Sequence, residues 1–531
     1  MTERFKAEDA KILGYGAGIN SRASEGQIDP LECSSGENFV IDPGNSEFRP
    51  RPPIDLVSTT PNGAEIRGFV TLKKTDNTVT MLVQSGTNVY KWDGATYSLV
   101  GTVSGSAKLR GPREANWALD DKVIISDINL SENLHEWDGT TFQQITFLQS
   151  DGSSVFGAFR ARYCVVDNER AFYGAIHESG NAFEHLLVSS KRGNHLIVSA
   201  SDRPASSLGA DAPWFLPMPQ LKPINGMAFV FGILAISQQG GAFEKLTGSS
   251  AKDFAIDKLH YGSGAGGRES VVAISNDIIY GAPGHIESLK STNEFGDVEL
   301  DDLSFKIQPD VKTFNDWTLI YNPRFRRVYC FPAGTSEVWV LHNDFIGSDL
   351  SPWSKYTTQH AFAFQPSAVM MCLDPLDGLE YIFMGDASGN LYRVEGTGLA
   401  GDGGSANIIA KRTSQLYRAP LDAKIIDMNG WIEHRKLLDN TLSLRFLYAG
   451  EHVHDVPKSV TLSAVDFDTV YNDGTTFYGG DFYYGPAQEN RLVRKTFGIP
   501  GHANQFQIET KIEGVNDFAI TELGVRYDFA G

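Results

Sequence analysis

The chain has 531 residues, 41% hydrophobic and 21% charged, which suits a globular protein with sizeable cores and excludes a largely disordered one. Its formal net charge of -19, from 46 basic and 65 acidic residues, argues against sequence-independent binding to nucleic-acid phosphates or to anionic lipid. Fifty-three glycines and 11% aromatic residues together favour short strands and tight turns over long helices.

The N-terminus has no apolar stretch of signal-peptide length. Its acidic, alanine-containing first dozen residues are the one modest helix candidate in the chain. The first fifty residues are rich in glycine and proline and end in FRPRPPI, which disfavours helix and central strand alike. Residues 1–53 are therefore expected to form an extended N-terminal arm with little core of its own, suited to bridging to a neighbouring subunit. Removing residues 1–50 is expected to impair assembly more than folding.

Residues 54–396 read as a chain of hairpins. YKWDGATY, Tyr90 to Tyr97, and HEWDGTTF, His135 to Phe142, repeat Trp-Asp-Gly at an interval of 45 residues. Read as two-residue type I′ turns, Asp93-Gly94 sets Trp92 against Ala95 and Tyr90 against Tyr97. Asp138-Gly139 sets Trp137 against Thr140 and His135 against Phe142. The interval matches a propeller blade of about 40–50 residues. Other stretches take the same strand–turn–strand form, among them LAISQQGGAFEKLTG, NDIIYGAPGHIESL, RRVYCFPAGTSEVWVLHNDF and LEYIFMGDASGNLYRVEG. The longest apolar run, Met227 to Ile236, is broken at Gly232 and too short for a bilayer, so it reads as buried strand. Room exists for roughly seven or eight blades.

GSGAGGRES, Gly262 to Ser270, lacks the Lys-Ser/Thr that ends a phosphate loop, and no helix pattern follows. Gly262, Gly264, Gly266 and Gly267 are its candidate channel-loop residues. Five glycines in EGTGLAGDGGSAN mark a boundary, taken as a linker over 397–407. Residues 408–531 alternate apolar and polar with period two, the pattern of a half-buried antiparallel sheet. The fold class is mainly β: an irregular β-propeller-like body, an additional C-terminal antiparallel β-sandwich and an extended N-terminal arm.

Chemistry is sparse. Cys33, Cys164, Cys330 and Cys372 have neither metal-ligand nor redox spacing and read as reduced core thiols. The cluster DVELDD, Asp297 to Asp302, reads as a solvated strand end. Ser249 and Lys252 in SSAK have none of the companion motifs of a serine acyl enzyme. His452 and His454 are two ligands short of a metal site. No catalytic, cofactor-binding or metal residue is assigned, and the chain is not expected to be an enzyme. A second class is a glycan- or receptor-binding propeller, with glycan hydrolysis a more distant variant. That class would use exposed aromatics such as Trp214, Trp317 and Trp353.

The stretch from Gly16 to Pro52, with Gly18, Asn20, Asn38, Val40, Arg49 and Pro50 at its pattern positions, resembles the opening of the tail nozzle or tail-tube proteins of short-tailed bacteriophages, the tail tubular protein B-like family. KRGNHLIVSASDRPAS, the glycine-rich run leading into NDIIYGAPGHIESL, YNPRFRRVYCF and the closing strands FQIETKIEGVNDFAITELGVRYDF resemble later family segments, in the family's order. The resemblance implies a structural protein of the virion, made and assembled in the host bacterial cytoplasm. It implies a ring, usually a homohexamer, below the portal and its head-to-tail adaptor proteins. Such a ring continues the DNA ejection channel and docks tail fibre or spike proteins. It implies no cofactor, no membrane insertion and transient DNA passage without specific binding. The acidic charge suits a conduit in which DNA slides.

Overall fold

The structure is a computed structural model and describes residues 8–10, 16–24, 27–42, 47–149, 155, 157–198, 209–230, 232–262, 264–274, 277–291, 298–357, 366–395, 408–415, 417–418, 424–436, 440–449, 455–462, 493–499, 505–514 and 518–530. Among these residues, one four-residue α-helix, Gln308–Val311, accompanies many antiparallel strands. The helix candidate at the N-terminus is corrected: Glu8–Ala10 is a strand paired with Phe518–Ala530.

Seven blades follow one another round a ring, the first two joined in one sheet by parallel pairing of Leu109–Gly111 with Ile66–Lys73. Blade 1 is Ile66–Lys73, Val79–Ser85, Asn88–Trp92 and Tyr97–Thr102. Blade 2 is Leu109–Gly111 with Asn116–Trp117, then Lys122–Asp127, His135–Trp137 and Phe142–Gln144. Blade 3 is Phe159–Asp167, Arg170–Glu178, Asn181–Ser189 and Trp214–Pro217. Blade 4 is Ile224–Val230, Ile233–Gln238, Ala242–Thr247 and Ala255–Tyr261. Blade 5 is Val271–Ile274, Asp277–Ala282, His285–Ser291 and Val298–Asp302. Blade 6 is Trp317–Asn322, Arg327–Pro332, Glu337–His342 and Trp353–Thr357. Blade 7 takes Ala368–Leu373, Glu380–Gly385 and Asn390–Arg393 from the end of the body and borrows its outer strand, Asp55–Thr59, from the beginning. That loan closes the ring. Ser58 and Tyr97 then share a 2.6 Å hydrogen bond that ties blade 7 to blade 1.

The inner strands of the blades are buried on both faces, because each blade is packed between two neighbours. Asp277–Ala282 is buried at every position, and Val328 to Pro332 likewise. This is why the body's strands read as short continuous apolar runs such as DIIYGA and VYCFP, with little polar alternation. Separate apolar clusters fill the gaps between blades. One joins blades 7 and 1 through Trp92, Phe69 and Phe383, another joins blades 3 and 4 through Phe172, Trp214 and Ile236.

The repeated Trp-Asp-Gly stretch has a different register from the expected one. Trp92 faces Tyr97, not Ala95, and Tyr90 faces Leu99. Trp137 faces Phe142, and His135 faces Gln144. Each turn is thus a four-residue loop rather than a two-residue type I′ turn. The cause is the aspartate. Asp93 Oδ1 accepts from the backbone N–H of Ala95 at 2.9 Å and Thr96 at 2.7 Å, and Oδ2 accepts from the Thr96 hydroxyl at 2.8 Å. Asp138 Oδ1 accepts from Thr140 and Thr141 N–H in the same way. A side-chain acceptor that satisfies the loop's own donors favours the longer turn. These bonds draw the Asp93 carboxyl down to about 2. The aromatic pairs survive as diagonal neighbours: Tyr90 and Tyr97 meet edge-on at 5.9 Å, and His135 stacks on Phe142 at 4.7 Å.

Each loop also leans on the blade before it. Trp92 is fully buried and meets Phe383 of blade 7 at 5.6 Å. Trp137 is buried and its Nε1–H donates to Thr80 Oγ1 of blade 1 at 3.0 Å. A Cβ on Gly94 would sit 2.4 Å from Leu376 of blade 7, and one on Gly139 would sit 2.8 Å from Lys74 of blade 1. The triplet is therefore a joint: tryptophan fills the gap, aspartate shapes the loop, and glycine lets the loop touch the preceding blade.

Beyond the propeller, two antiparallel sheets form the C-terminal sandwich. The first runs Phe39–Asp42, Glu47–Pro50, Phe518–Ala530, Lys424–Lys436, Val493–Ile499. The second runs Ser35–Glu37, Ile408–Thr413, Gln505–Gly514, Asn440–Ala449, Asp455–Leu462. The expected linker, 397–407, and His452 and His454 lie outside the described residues. The N-terminal segment is extended but is not a free arm. It supplies strands to both sheets and buries Ala17, Ile19, Cys33, Phe39 and Phe48. The expectation that residues 1–50 have little core of their own is corrected on that ground, and this burial argues against a removal that impairs assembly more than folding.

Gly94→Ala is expected to destabilise the protein by about 1–3 kcal/mol, because both its φ of +99° and the Leu376 contact oppose a Cβ. Shortening Leu376 to alanine in the same chain removes the clash and restores part of the loss. Denaturant unfolding of the two variants measures both; an unchanged midpoint for Gly94→Ala would contradict the packing.

Candidate functional site at the propeller axis

The first strands of successive blades, with Lys122–Asp127 making the link from blade 2 to blade 3, touch in a closed circle, so their residues converge on an axis. Two chambers lie along it. The wider, about 750 Å³, is lined from every blade, by Glu65, Lys108, Arg162, Asn225, Glu269, Thr318 and Ala368 among others. The narrower, about 350 Å³, is lined by Thr71, Arg110, Tyr163, Met227, Tyr321 and Met370 among others. Arg268 and Glu269 border both.

Between them runs a strap, residues 264–270, that links the last strand of blade 4 to the first of blade 5. Gly266 N–H donates to Gly281 O at 2.7 Å, and Ala265 N–H to Ser237 Oγ at 3.1 Å. The Arg268 carbonyl accepts from the Tyr163 hydroxyl of blade 3 at 2.7 Å. The Glu269 carbonyl accepts from Leu319 N–H of blade 6 at 2.8 Å. The Glu269 carboxylate then takes Lys108 Nζ on Oε2 and Arg110 Nη1 on Oε1, each at 2.5 Å. Both cations flank or lie on the first strand of blade 2, on the other side of the axis. The strap is a staple across the ring.

Charge decides the state of Glu269. Its side chain is 10% exposed, and burial by itself would push its carboxyl up. The two cations outweigh that and hold it below the ordinary glutamate range. The glycines serve approach rather than motion. A Cβ on Gly266 would lie 2.5 Å from Asn315 O, and one on Gly267 would lie 1.8 Å from Asp316 Oδ1. Of the four candidate channel residues, Gly266 and Gly267 line the wide chamber, Gly264 is buried behind them and Gly262 is exposed. They border the axis of their own propeller. Lys108, Arg110 and Glu269, which close that axis, carry no local signal that sequence reading could use, since 161 and 159 residues separate the partners.

Other sequence candidates disperse. Trp214, Trp317 and Trp353 are 0%, 1% and 0% exposed, so they are core residues and cannot present a ligand-stacking face. The four cysteines are free and buried, and burial pushes the Cys33 thiol up to about 11, far from nucleophilic. Ser249 and Ser250 are held by Asp253 in a capped turn before Lys252. Val298–Asp302 is the outer strand of blade 5. Among the described residues no group of three or more His, Cys, Asp or Glu is placed to hold a metal ion. The Trp-Asp-Gly residues lie at blade joints, away from the residues that line the two chambers.

Glu269→Gln is expected to cost about 3–5 kcal/mol, because it leaves two partly buried cations facing a neutral amide. The sign of the pH effect follows from the lowered carboxyl. Its stabilisation is full above about pH 4.3 and is lost as pH falls below that value. Chemical unfolding of both proteins at several pH values tests this; a Gln variant as stable as the parent at neutral pH would remove the staple from the account.

No protein-family model matches the chain, and no curated protein matches it. Solved structures give distant likenesses. BBS1N, crystallised in complex with ARL6DN, is similar with a TM-score of 0.40 and 8% identity, over 68% of this chain and 98% of that one. The β-propeller domain of Cps50 (Swd1) from Myceliophteria thermophila is similar with a TM-score of 0.35 and 9% identity, over 65% of this chain and 100% of that one. At such identities neither bears on function, and the propeller assignment stands on the order and closure of the sheets described above.

Proposed function

We propose that the chain is a structural component of a short-tailed phage tail, a nozzle subunit. Copies of it would form a ring that continues the DNA ejection channel below the adaptor and offers a platform for fibres or spikes. It would act without a cofactor and without catalysis.

The observation that supports this most is where the residues of the N-terminal resemblance lie. They gather at one joint between blade 6 and the sandwich. A Cβ on Gly18 would lie 2.0 Å from Trp353 O, so glycine is what allows that approach. Asn20 Nδ2 donates to the buried Glu32 at 2.6 Å. Glu32 in turn accepts from Lys306 Nζ at 2.5 Å and Ser351 N–H at 2.7 Å. Asn38, at φ +58°, donates its N–H to Lys355 O of blade 6 and its Nδ2 to Ile409 O of the sandwich. One apolar cluster then runs from Trp339 and Trp353 of blade 6 through Phe39 and Phe48 to Ile508 and Ile512. A propeller and a sandwich welded in this way make a stiff unit, which a pressurised collar requires.

Two further features suit this reading. The strap pairs across the propeller's own axis, which favours a DNA conduit between subunits over one through a single propeller. The net charge of -19 disfavours adhesion of DNA to its walls.

Purified protein, alone and mixed with a head-to-tail adaptor ring, is expected to give closed rings by negative-stain electron microscopy. Single particles in both samples, across the concentrations at which an obligate ring would form, would defeat the proposal.

A further inference from the structure

Glu244, on the third strand of blade 4, is fully buried at 0% exposure. Neither of its carboxyl oxygens has a hydrogen-bond partner. It stands opposite Ile236 on one neighbouring strand and opposite Lys258 on the other. Leu246, two residues on and so on the same face of the strand, belongs with Ile236 to the apolar cluster between blades 3 and 4. The acid therefore points into that seam, among side chains such as Phe172, Leu187 and Trp214.

The seam is also irregular, as is the one between blades 7 and 1. Register shifts occur at Gly174/Ile176 in blade 3, and at Ile224/Gly226 and Phe243/Glu244 in blade 4. Ala175 holds a φ of +54° within a strand. Strain of this kind beside an unpaired acid is a sign of a built device rather than of ordinary packing.

Arg170, Arg162 and Tyr163, which border the seam, make their hydrogen bonds to other groups. Arg170 donates to Ser190 O, Ala212 O and Ala210 O. Arg162 donates to Ile128 O and Glu184. The Tyr163 hydroxyl is committed to Arg268 O. Lys258 is exposed on the outer strand and has an interaction of its own. With no hydrogen bond to either carboxyl oxygen, burial pushes the Glu244 carboxyl up to about 7.

We propose that Glu244 is a one-proton switch for the seam between blades 3 and 4, packed as a neutral core residue when protonated and loosening the seam when ionised. An isolated carboxylate in an apolar gap must draw in water or a cation, or open the gap. The loosening would be felt at the axis, because Tyr163 to Val165 of blade 3 and Gly226 to Phe229 of blade 4 line the narrow chamber.

The sign is opposite to that of Glu269. The folded protein holds this proton more tightly than the unfolded chain does. Stability is therefore unaffected below about pH 4.3, falls as pH rises, and the loss is complete once pH passes the raised value. The folding equilibrium is expected to change on the order of 100-fold across that window.

The test is the thermal midpoint of the parent, Glu244→Gln and Glu244→Leu between about pH 5 and about pH 8.5. The parent is expected to lose several degrees that neither variant loses. Hydrogen exchange of the Ala242–Thr247 amides is expected to quicken with pH beyond the intrinsic rate in the parent alone. Parallel curves for all three proteins would overturn the proposal. Should both variants fail to fold, the infrared carbonyl band of a buried protonated carboxyl in the parent decides. Its presence at pH 6 and loss at high pH supports the switch, and its absence at pH 6 overturns it.

Discussion

A four-stranded sheet with two apolar faces has no stable existence by itself. Each blade of this propeller is such a sheet, and each is stable because a neighbour covers either face. The arrangement can end in one way without leaving a face bare, which is to close on itself. Closure is what Asp55–Thr59 accomplishes when it returns as the outer strand of blade 7. The first and last parts of the body are thereby held together, so the N-terminal segment must start and the sandwich must follow from the same side of the ring. The weld at blade 6, with Asn38 bonded to both modules, is a consequence of that geometry.

Apolar burial fills the gaps but does not choose among ways of filling them. The choice falls to polar groups at the joints. Asp93 and Asp138 set the length of their loops, and Glu269 fixes blades 2, 5 and 6 against one another at the axis. Arg327 and Glu395 pair where the chain leaves blade 7. Buried pairs of this sort add little net stability compared with apolar substitutes, but removing one partner is costly. Their effect is to make one arrangement of the ring much better than its near relatives. Glu244 is the exception, a buried acid with no hydrogen-bond partner, and it lies at an irregular seam.

At the axis the strap ties blades far apart in the ring to one another. Arg268 and Glu269 border both chambers, and the Glu269 carboxylate reaches across to Lys108 and Arg110 at blade 2.

Much of this was legible in the chain because it depends on local pattern. Hairpin after hairpin of glycine-hinged apolar runs gave the β-propeller-like body, and period-two alternation gave the closing sheets. Glycine and aspartate marked the turns, since positive φ and side-chain capping are local requirements. Even the loop length had a local sign, the threonine three residues after each aspartate in DGAT and DGTT, which competes with the two-residue turn. Other features depended on residues that meet only after folding. Glu269 and its two cations are far apart in the chain, the strand that closes blade 7 precedes its partners by more than three hundred residues, and burial of Trp214, Trp317 and Trp353 is set by neighbouring blades. The sequence by itself determined which segments are strands and where they turn, because backbone geometry and hydrophobic period act over a few residues. The tertiary structure alone decided which faces meet, which charges pair and which acid is left without a partner, because those depend on how the ring closes.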